Sequence, residues 1–208
     1  MSAELAVVRL ADGREEEVGR LLARSFAEDP IFAWVEPDAR RRAAFLEPFM
    51  TALARRSHRL AVAYATAPEL VAVSLWKGPD LRALSPDQLA MTGLDRVGEW
   101  LSSAALRRFE TVFDPIVDAL ERDAPEPVWY LGVLGVAPEH QGRGLGGRLM
   151  LPVLERADRE GLAVTLETAQ PRNLPLYRRH GFEVKTELPP AAPGAPIVWT
   201  MKRPYRSR

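Results

Sequence analysis

Between Gln141 and Arg148 the chain reads QGRGLGGR and leads directly into a run with helical spacing. A helix start leaves several backbone N–H groups without intrahelical partners, and the helix dipole adds about half a positive charge. A phosphate can therefore be held there without a specialised side chain. Glycines at 142, 144, 146 and 147 keep Cβ atoms from pushing a bulky pyrophosphate off those donors, and Arg143 adds a movable charge. The same glycines would also permit a tight turn with close helix packing, and spacing alone leaves both readings open. The pattern is not G-x-x-x-x-G-K-[ST], which disfavours a P-loop. A dinucleotide-binding Rossmann unit needs an acid closing the next strand. Glu167 is the one candidate, and the two strands before the loop read as an antiparallel pair.

Other chemistries are narrowed by what the chain lacks. Cysteine is absent from all 208 residues, which removes disulfides, thiolate metal sites and a cysteine nucleophile. The histidines at 58, 140 and 180 are scattered, with no i, i+4 pair and no carboxylate cluster, so no metal is expected. Lys plus Arg and Asp plus Glu are equal at 28 each, so no charge excess points to nucleic acid or an anionic membrane. The N-terminal stretch shows no cationic start followed by an apolar segment, and no run approaches the ~20 apolar residues of a membrane span. A soluble, cytoplasmic protein is expected, without membrane or nucleic-acid partners. At 47% apolar residues, the chain can bury an ordinary core as one domain over residues 1–208.

The elements that must position the glycine segment follow from periodicity. Ala6 to Leu10 reads as a strand, and Asp12 with Glu15 as a capping box opening a helix with Val18, Leu21, Leu22 and Phe26 inward. EDPIFAWVEPD, from Glu28, reads as a loop because two prolines interrupt it. From Asp38 a helical pattern returns, with a kink or restart expected at Pro48. Arg59 to Thr66 and Leu70 to Lys77 read as a hairpin. Ser85 to about Glu121 reads as a helical insert with Pro86 in a first turn and a break at Gly93. VWYLGVLGV, from Val128, is apolar on both faces and so expected at the centre of a sheet. The helix after the glycines is amphipathic and ends at Gly161, with a bend expected at Pro152. A strand from Ala163 to Thr168, a short segment from Asn173 to His180 and a strand from Phe182 close the pattern. Strand, glycine loop, helix and strand make one right-handed crossover unit.

VLGVAPEHQGRGLGGRL resembles the acetyl-CoA-binding motif of the GCN5-related N-acetyltransferases, the GNAT superfamily, in which a strand ending V-x-P precedes [RQ]-x-x-G-x-[GA]. Together with LPVLERADREG, LETAQPRNLPLYRRHGF and VWTMKRP, it is most similar to the puromycin N-acetyltransferase branch, over roughly the last eighty residues. The resemblance implies an α/β (α+β) GNAT fold. Its mixed central sheet splays between two parallel strands, helices flank it, and a helical insert precedes the central strand. The strand end Leu134, Gly135 and Val136 would offer backbone groups to the pantetheine arm of acetyl-CoA, much as a neighbouring strand would. Gln141, Gly142, Arg143, Gly144, Leu145, Gly146 and Gly147 would wrap the pyrophosphate, with Arg148 near its oxygens. Asn173 resembles the family's CoA-contacting asparagine, and a helix N-cap role is also open.

The implied reaction is amide formation from a thioester, by direct attack of a primary amine. Tyr177, one turn after Asn173, would protonate the leaving thiolate, and a backbone N–H near Leu134 would meet the oxyanion. Tyr177 could equally anchor its helix through Leu174 and Phe182. Glu167, Glu28 and Asp29 are candidates for the base, and family members often deprotonate the amine through water instead. Phe32, Trp34, Tyr64 and Trp76 come from segments that flank the acceptor cleft in this fold, where aromatic faces suit a planar or cationic amine. The expected partner is a small-molecule amine, puromycin-like, aminoglycoside-like or other, with the protein a monomer or homodimer. A non-catalytic CoA-sensing domain and a protein N-terminal or lysine acetyltransferase remain as alternatives.

Overall fold

The computed structural model describes residues 5–81 and 84–206. Seven strands form one sheet in the order β1-β2-β3-β4-β5-β7-β6, where β1 is Ala6–Arg9, β2 Val62–Ala67, β3 Ala72–Lys77, β4 Val128–Val136, β5 Ala163–Thr168, β6 Glu183–Leu188 and β7 Val198–Arg203. β4 is the middle strand, as its unbroken apolar run implies. It pairs parallel with β5, and every other neighbouring pair is antiparallel.

Helices cover both faces. On one side lie α1 (Glu15–Ser25), α2 (Pro30–Val35), α3 (Ala39–Leu60) and the insert, made of α4 (Pro86–Thr92), α5 (Val97–Trp100) and α6 (Ser103–Asp123). Phe32, Phe45, Phe49, Ile116, Leu75 and Val133 belong to the core on this side. On the other side α7 (Leu145–Glu160) and α8 (Leu174–Arg179) bury Met150, Val153, Leu154 and Tyr177 with Trp76, Trp129, Leu166 and Phe182. The C-terminal end of α7 is fastened to β7 by a two-pronged ion pair, Arg203 Nη1 and Nη2 to Asp158 at 2.8 and 2.7 Å. Among the described residues no helix is long and apolar enough to cross a membrane.

Several local expectations are corrected. Asp12 and Glu15 form no capping box: α1 starts after Arg14 with no side-chain cap, and Asp12 instead meets His58 Nε2 at 2.6 Å. The stretch after Glu28 is not wholly loop. Asp29 caps α2 by accepting from the Ile31 N–H at 3.0 Å, and Pro30 fills the first turn, where its missing N–H costs nothing. α3 runs through Pro48 as one 22-residue helix without a restart, and its last residues take up the start of the expected hairpin strand. α7 also runs unbroken from Leu145 to Glu160 with Pro152 inside it, a continuity compatible with the expected bend. Ser85 and Gln88 make the full capping box that opens α4, and Gly93 ends it in the left-handed region. β7 is a strand that periodicity did not single out.

α1 and α3 touch closely because Gly19 has no side chain. A Cβ there would overlap Thr51 Oγ1 and lie 3.0 Å from the Glu47 carbonyl oxygen, to which Thr51 Oγ1 donates at 2.8 Å. Alanine would gain about 1 kcal/mol of helix propensity, but overpacking costs about 1–3 kcal/mol and here also breaks the Thr51 bond. Gly19→Ala is therefore expected to lower unfolding stability by about 1–2 kcal/mol, read as a shifted urea midpoint at unchanged slope. Gly19→Val should cost more.

Candidate active site

The β4–β5 ladder runs from Val128↔Ala163 to Leu131↔Leu166 and stops there, although both strands continue. The cause lies on the other edge of β4. Leu75 of β3 faces Val133 and Trp76 faces Leu131, leaving Gly132 as an extra residue, a β-bulge that bends and twists its strand. Beyond it β4 keeps its β3 partners but has no β5 partner, so backbone groups between Gly132 and Val136 face a wedge between the strands.

A cavity of about 570 Å³ opens at this wedge. Its apolar wall includes Phe26, Phe32, Phe49, Phe109 and Phe113, the last two from the insert helix α6. Its polar floor comes from separate elements: Asp29 before α2, Arg56 of α3, Tyr130 of β4, Glu167 of β5, Asn173 before α8 and Tyr177 of α8. Tyr177 packs with the α7 side of the sheet and meets the Phe182 ring edge-on at 6.0 Å. Glu167 follows Leu166, which is buried on that same side, so strand alternation turns its carboxyl to the other face. The wedge lets groups from both faces reach one space.

Burial dominates the electrostatics of this floor. It pushes the Glu167 carboxyl up to about 7, against the Tyr130 hydroxyl, which donates to Oε1 at 2.9 Å, and the nearby Arg56 charge. Glu167 Oε2 is buried with no hydrogen-bond partner. Asp29 is raised to about 6 by burial, opposed by the Ile31 and Phe32 N–H groups and by Arg172. Burial, with the Glu167 and Asp29 charges, raises the Tyr177 phenol far above its ordinary value, so it stays protonated and can serve as an acid. Burial lowers Arg56 and raises Tyr130.

The glycine segment sits at the start of α7. Gly142 and Gly144 are left-handed, at φ 75° and 76°, and no atom lies within 4 Å of where their Cβ atoms would be. That is an open backbone cradle at the start of a 16-residue helix, and its chemistry fits a diphosphate. Gly146 packs beside Leu134 and Leu176, and a Cβ at Gly147 would lie 2.9 Å from the His180 ring. Leu145 is buried against the sheet. Gln141 Nε2 donates to the Val136 carbonyl at 3.2 Å, Arg143 to the Glu139 carbonyl at 3.2 Å and Arg148 to the Leu5 carbonyl at 2.6 Å. Gly135 pairs with Val73, and its bare Cα admits Leu22 of α1. Asn173 occupies the N-cap position but makes no capping bond, so the capping reading fails and its amide lines the cavity.

Of the acceptor-side residues, Asp29 and Phe32 reach the cavity and four others are not brought to it. Glu28 is on the surface, paired with Arg42 at 3.2 Å. Trp34 donates to the Pro193 carbonyl at 3.3 Å. Tyr64 packs with the clusters on the α7 side. Trp76 is wholly buried on that side and donates to Ser74 Oγ at 3.0 Å. Sequence reasoning missed Arg56 and Tyr130. A tyrosine alternating with Trp129 and Leu131 on a doubly covered strand carried a usable signal; an arginine among the many of α3 did not.

Residues 93–182 match the model of the acetyltransferase (GNAT) family. Over these residues the chain is similar to that family. An uncharacterised N-acetyltransferase of Schizosaccharomyces pombe is 30% identical over 118 residues, covering 55% of this chain and 48% of that protein. The chain thus spans about half the length of the curated relative it matches. Two solved structures share the GNAT fold. One is a Corynebacterium glutamicum protein described as histone acetyltransferase HPA2 and related acetyltransferase, with TM-score 0.64, 20% identity and 98% of each chain covered. The other is a Drosophila melanogaster polyamine N-acetyltransferase, with TM-score 0.57, 23% identity and 97% and 100% covered.

Glu167 gives the site a pH-dependent cost. Its pKa rises from the ordinary 4.5 to about 7 on folding, so its favourable contribution is full below pH 4.5 and is lost as pH rises through 7. Glu167→Gln is expected to stabilise the protein at pH 8 by on the order of 1–3 kcal/mol, with little difference at pH 4.5, in urea denaturation at the two pH values.

Proposed function

We infer that the protein is an acetyl-CoA-dependent N-acetyltransferase acting on a primary amine of a small molecule. The observation that carries this is the meeting of Tyr177 and Glu167, from opposite faces of the sheet, in one cavity where β4 and β5 part. A proton donor and a proton acceptor at an open strand edge are what transfer from a thioester to an amine requires. The polyamine N-acetyltransferase among the structural neighbours is in keeping with a small amine, and a puromycin-like or aminoglycoside-like acceptor is the finer expectation from the sequence.

The backbone N–H groups of residues 142–147 would hold the diphosphate of acetyl-CoA, with Arg143 and Arg148, now on the Glu139 and Leu5 carbonyls, the nearby cations, and the open edge of β4 would take the pantetheine arm. When bound, acetyl-CoA supplies the acetyl thioester and a thiolate leaving group. Glu167 Oε2, buried and without a donor, accepts the proton of the acceptor's ammonium. Its value near 7 suits that step at neutral pH. The freed amine nitrogen would attack the thioester carbon, with a β4 backbone N–H near Leu134 facing the oxyanion; as the C–S bond breaks, Tyr177 Oη would give its proton to the sulfur, and the second proton of the attacking nitrogen would restore the phenol. Phe32, Phe49, Phe109 and Phe113 exclude water around the acceptor's body.

Thiol release from acetyl-CoA across an amine panel tests the reading. Tyr177→Phe is expected to lower kcat by roughly 10²-fold or more, with acetyl-CoA still bound in calorimetry. In the wild type kcat/KM should rise with pH through about 7 as Glu167 loses its proton, and Glu167→Gln should abolish that limb along with most of the rate. Gly144→Val, which puts a branched side chain on a left-handed residue facing the cradle, should remove the heat of CoA binding. An absence of CoA binding by folded wild-type protein would overturn the proposal.

A further inference from the structure

Arg56 stands in the cavity wall, and no step above uses it. Other arginines of α3 are engaged. Arg42 donates to the Ala27, Glu36 and Pro37 carbonyls, and Arg55 pairs with Glu16. Arg56 differs: its Nε is buried without a hydrogen-bond partner, and among the described residues no carboxylate ion-pairs with its guanidinium. Glu167 and Tyr130 favour its charge through space, but no hydrogen bond compensates the buried Nε, and a buried cation without such bonds is costly. Lys77, on the same wall, has an interaction of its own within the protein.

Glu167 Oε2 presents the complementary deficit, a buried acceptor with no donor, while Oε1 is taken by Tyr130. Gly132 keeps the space before Arg56 open, since a Cβ there would lie 2.9 Å from Nη2. The cavity floor therefore offers a buried carboxylate oxygen without a donor, with Asp29 as a second carboxylate beside it, and a buried guanidinium nitrogen without an acceptor, under an apolar wall of phenylalanines. A simple amine meets only the first demand. An amine that also carries a carboxylate meets both, and the planar fork of arginine matches a carboxylate with two parallel bonds.

We propose that the acceptor is a zwitterion, an amino acid whose amine meets Glu167 and whose carboxylate pairs with Arg56, its apolar body lying against the phenylalanines. For the reaction this rests on the N-acetyltransferase reading; for binding it stands alone. Matched pairs differing only in that charge test it: phenylalanine against phenylalaninamide, and 3-amino-3-phenylpropanoic acid against its amide. Each is titrated into the protein by calorimetry and offered with acetyl-CoA while thiol release is followed. The amide has the more easily deprotonated amine, so intrinsic reactivity runs against the expected order.

In at least one pair the acid should bind and react at least tenfold better than the amide. Arg56→Met should bring that ratio towards one, and Arg56→Lys, which keeps the charge without the fork, should retain part of it. Wild-type protein that treats acid and amide alike in both pairs overturns the proposal and needs no variant to do so. An acid preference that survives Arg56→Met also overturns it. Acid-selective, Arg56-dependent binding without thiol release leaves the zwitterion site standing and removes the transferase reading. Thiol release with amides as readily as with acids does the reverse.

Discussion

One extra residue, Gly132, breaks the register of β4 against β3, and within one position of it the parallel ladder to β5 ends. The rest of the site depends on that parting. A sheet whose central strands stayed paired would separate Tyr177 from Glu167 by a closed layer of backbone. The bulge opens the layer and leaves strand-edge donors and acceptors without a strand. Such groups need a partner, and an extended, amide-bearing chain can supply one. The glycine loop lies at the end of the same strand, so one local irregularity relates the open edge, the anion cradle and the polar floor.

The floor shows how burial, more than pairing, assigns chemical character. Glu167 and Asp29 are both pushed up mainly by loss of water, and the Asp29 charge adds to the rise at Glu167. The same desolvation keeps Tyr177 and Tyr130 protonated. Arg56 is the counterweight, drawn towards its neutral form by burial and held charged by Glu167 and Tyr130. Five groups from five elements thus share one poorly solvated space, and Glu167 acts on the proton affinities of Tyr130, Tyr177 and Arg56. Holding them together costs stability, as functional sites commonly do.

Much of this was legible from residue order. The glycine segment, the bounds of β5 from Ala163 to Thr168 and the insert's break at Gly93 followed from strong local signals: period, terminal glycines and prolines. Errors came where one residue type serves two ends. Pro30 read as a breaker, yet with Asp29 before it the same proline opens a helix. Trp34, Tyr64 and Trp76 were assigned by segment, but only strand alternation and packing decide which face an aromatic takes. Arg56 was invisible because its distinction is a missing partner, a property of the assembled fold rather than of the helix that carries it.

The insert bears on how such a protein can change. α6 supplies Phe109, Phe113 and Val117 to the cavity wall, while the glycine loop leads into α7 on the opposite face of the sheet. Mutations along that single helical stripe would re-shape the cavity beneath it without touching the glycine loop. The cavity wall and the glycine loop therefore rest on separate helices, and a change in the shape of one need not pass through the other.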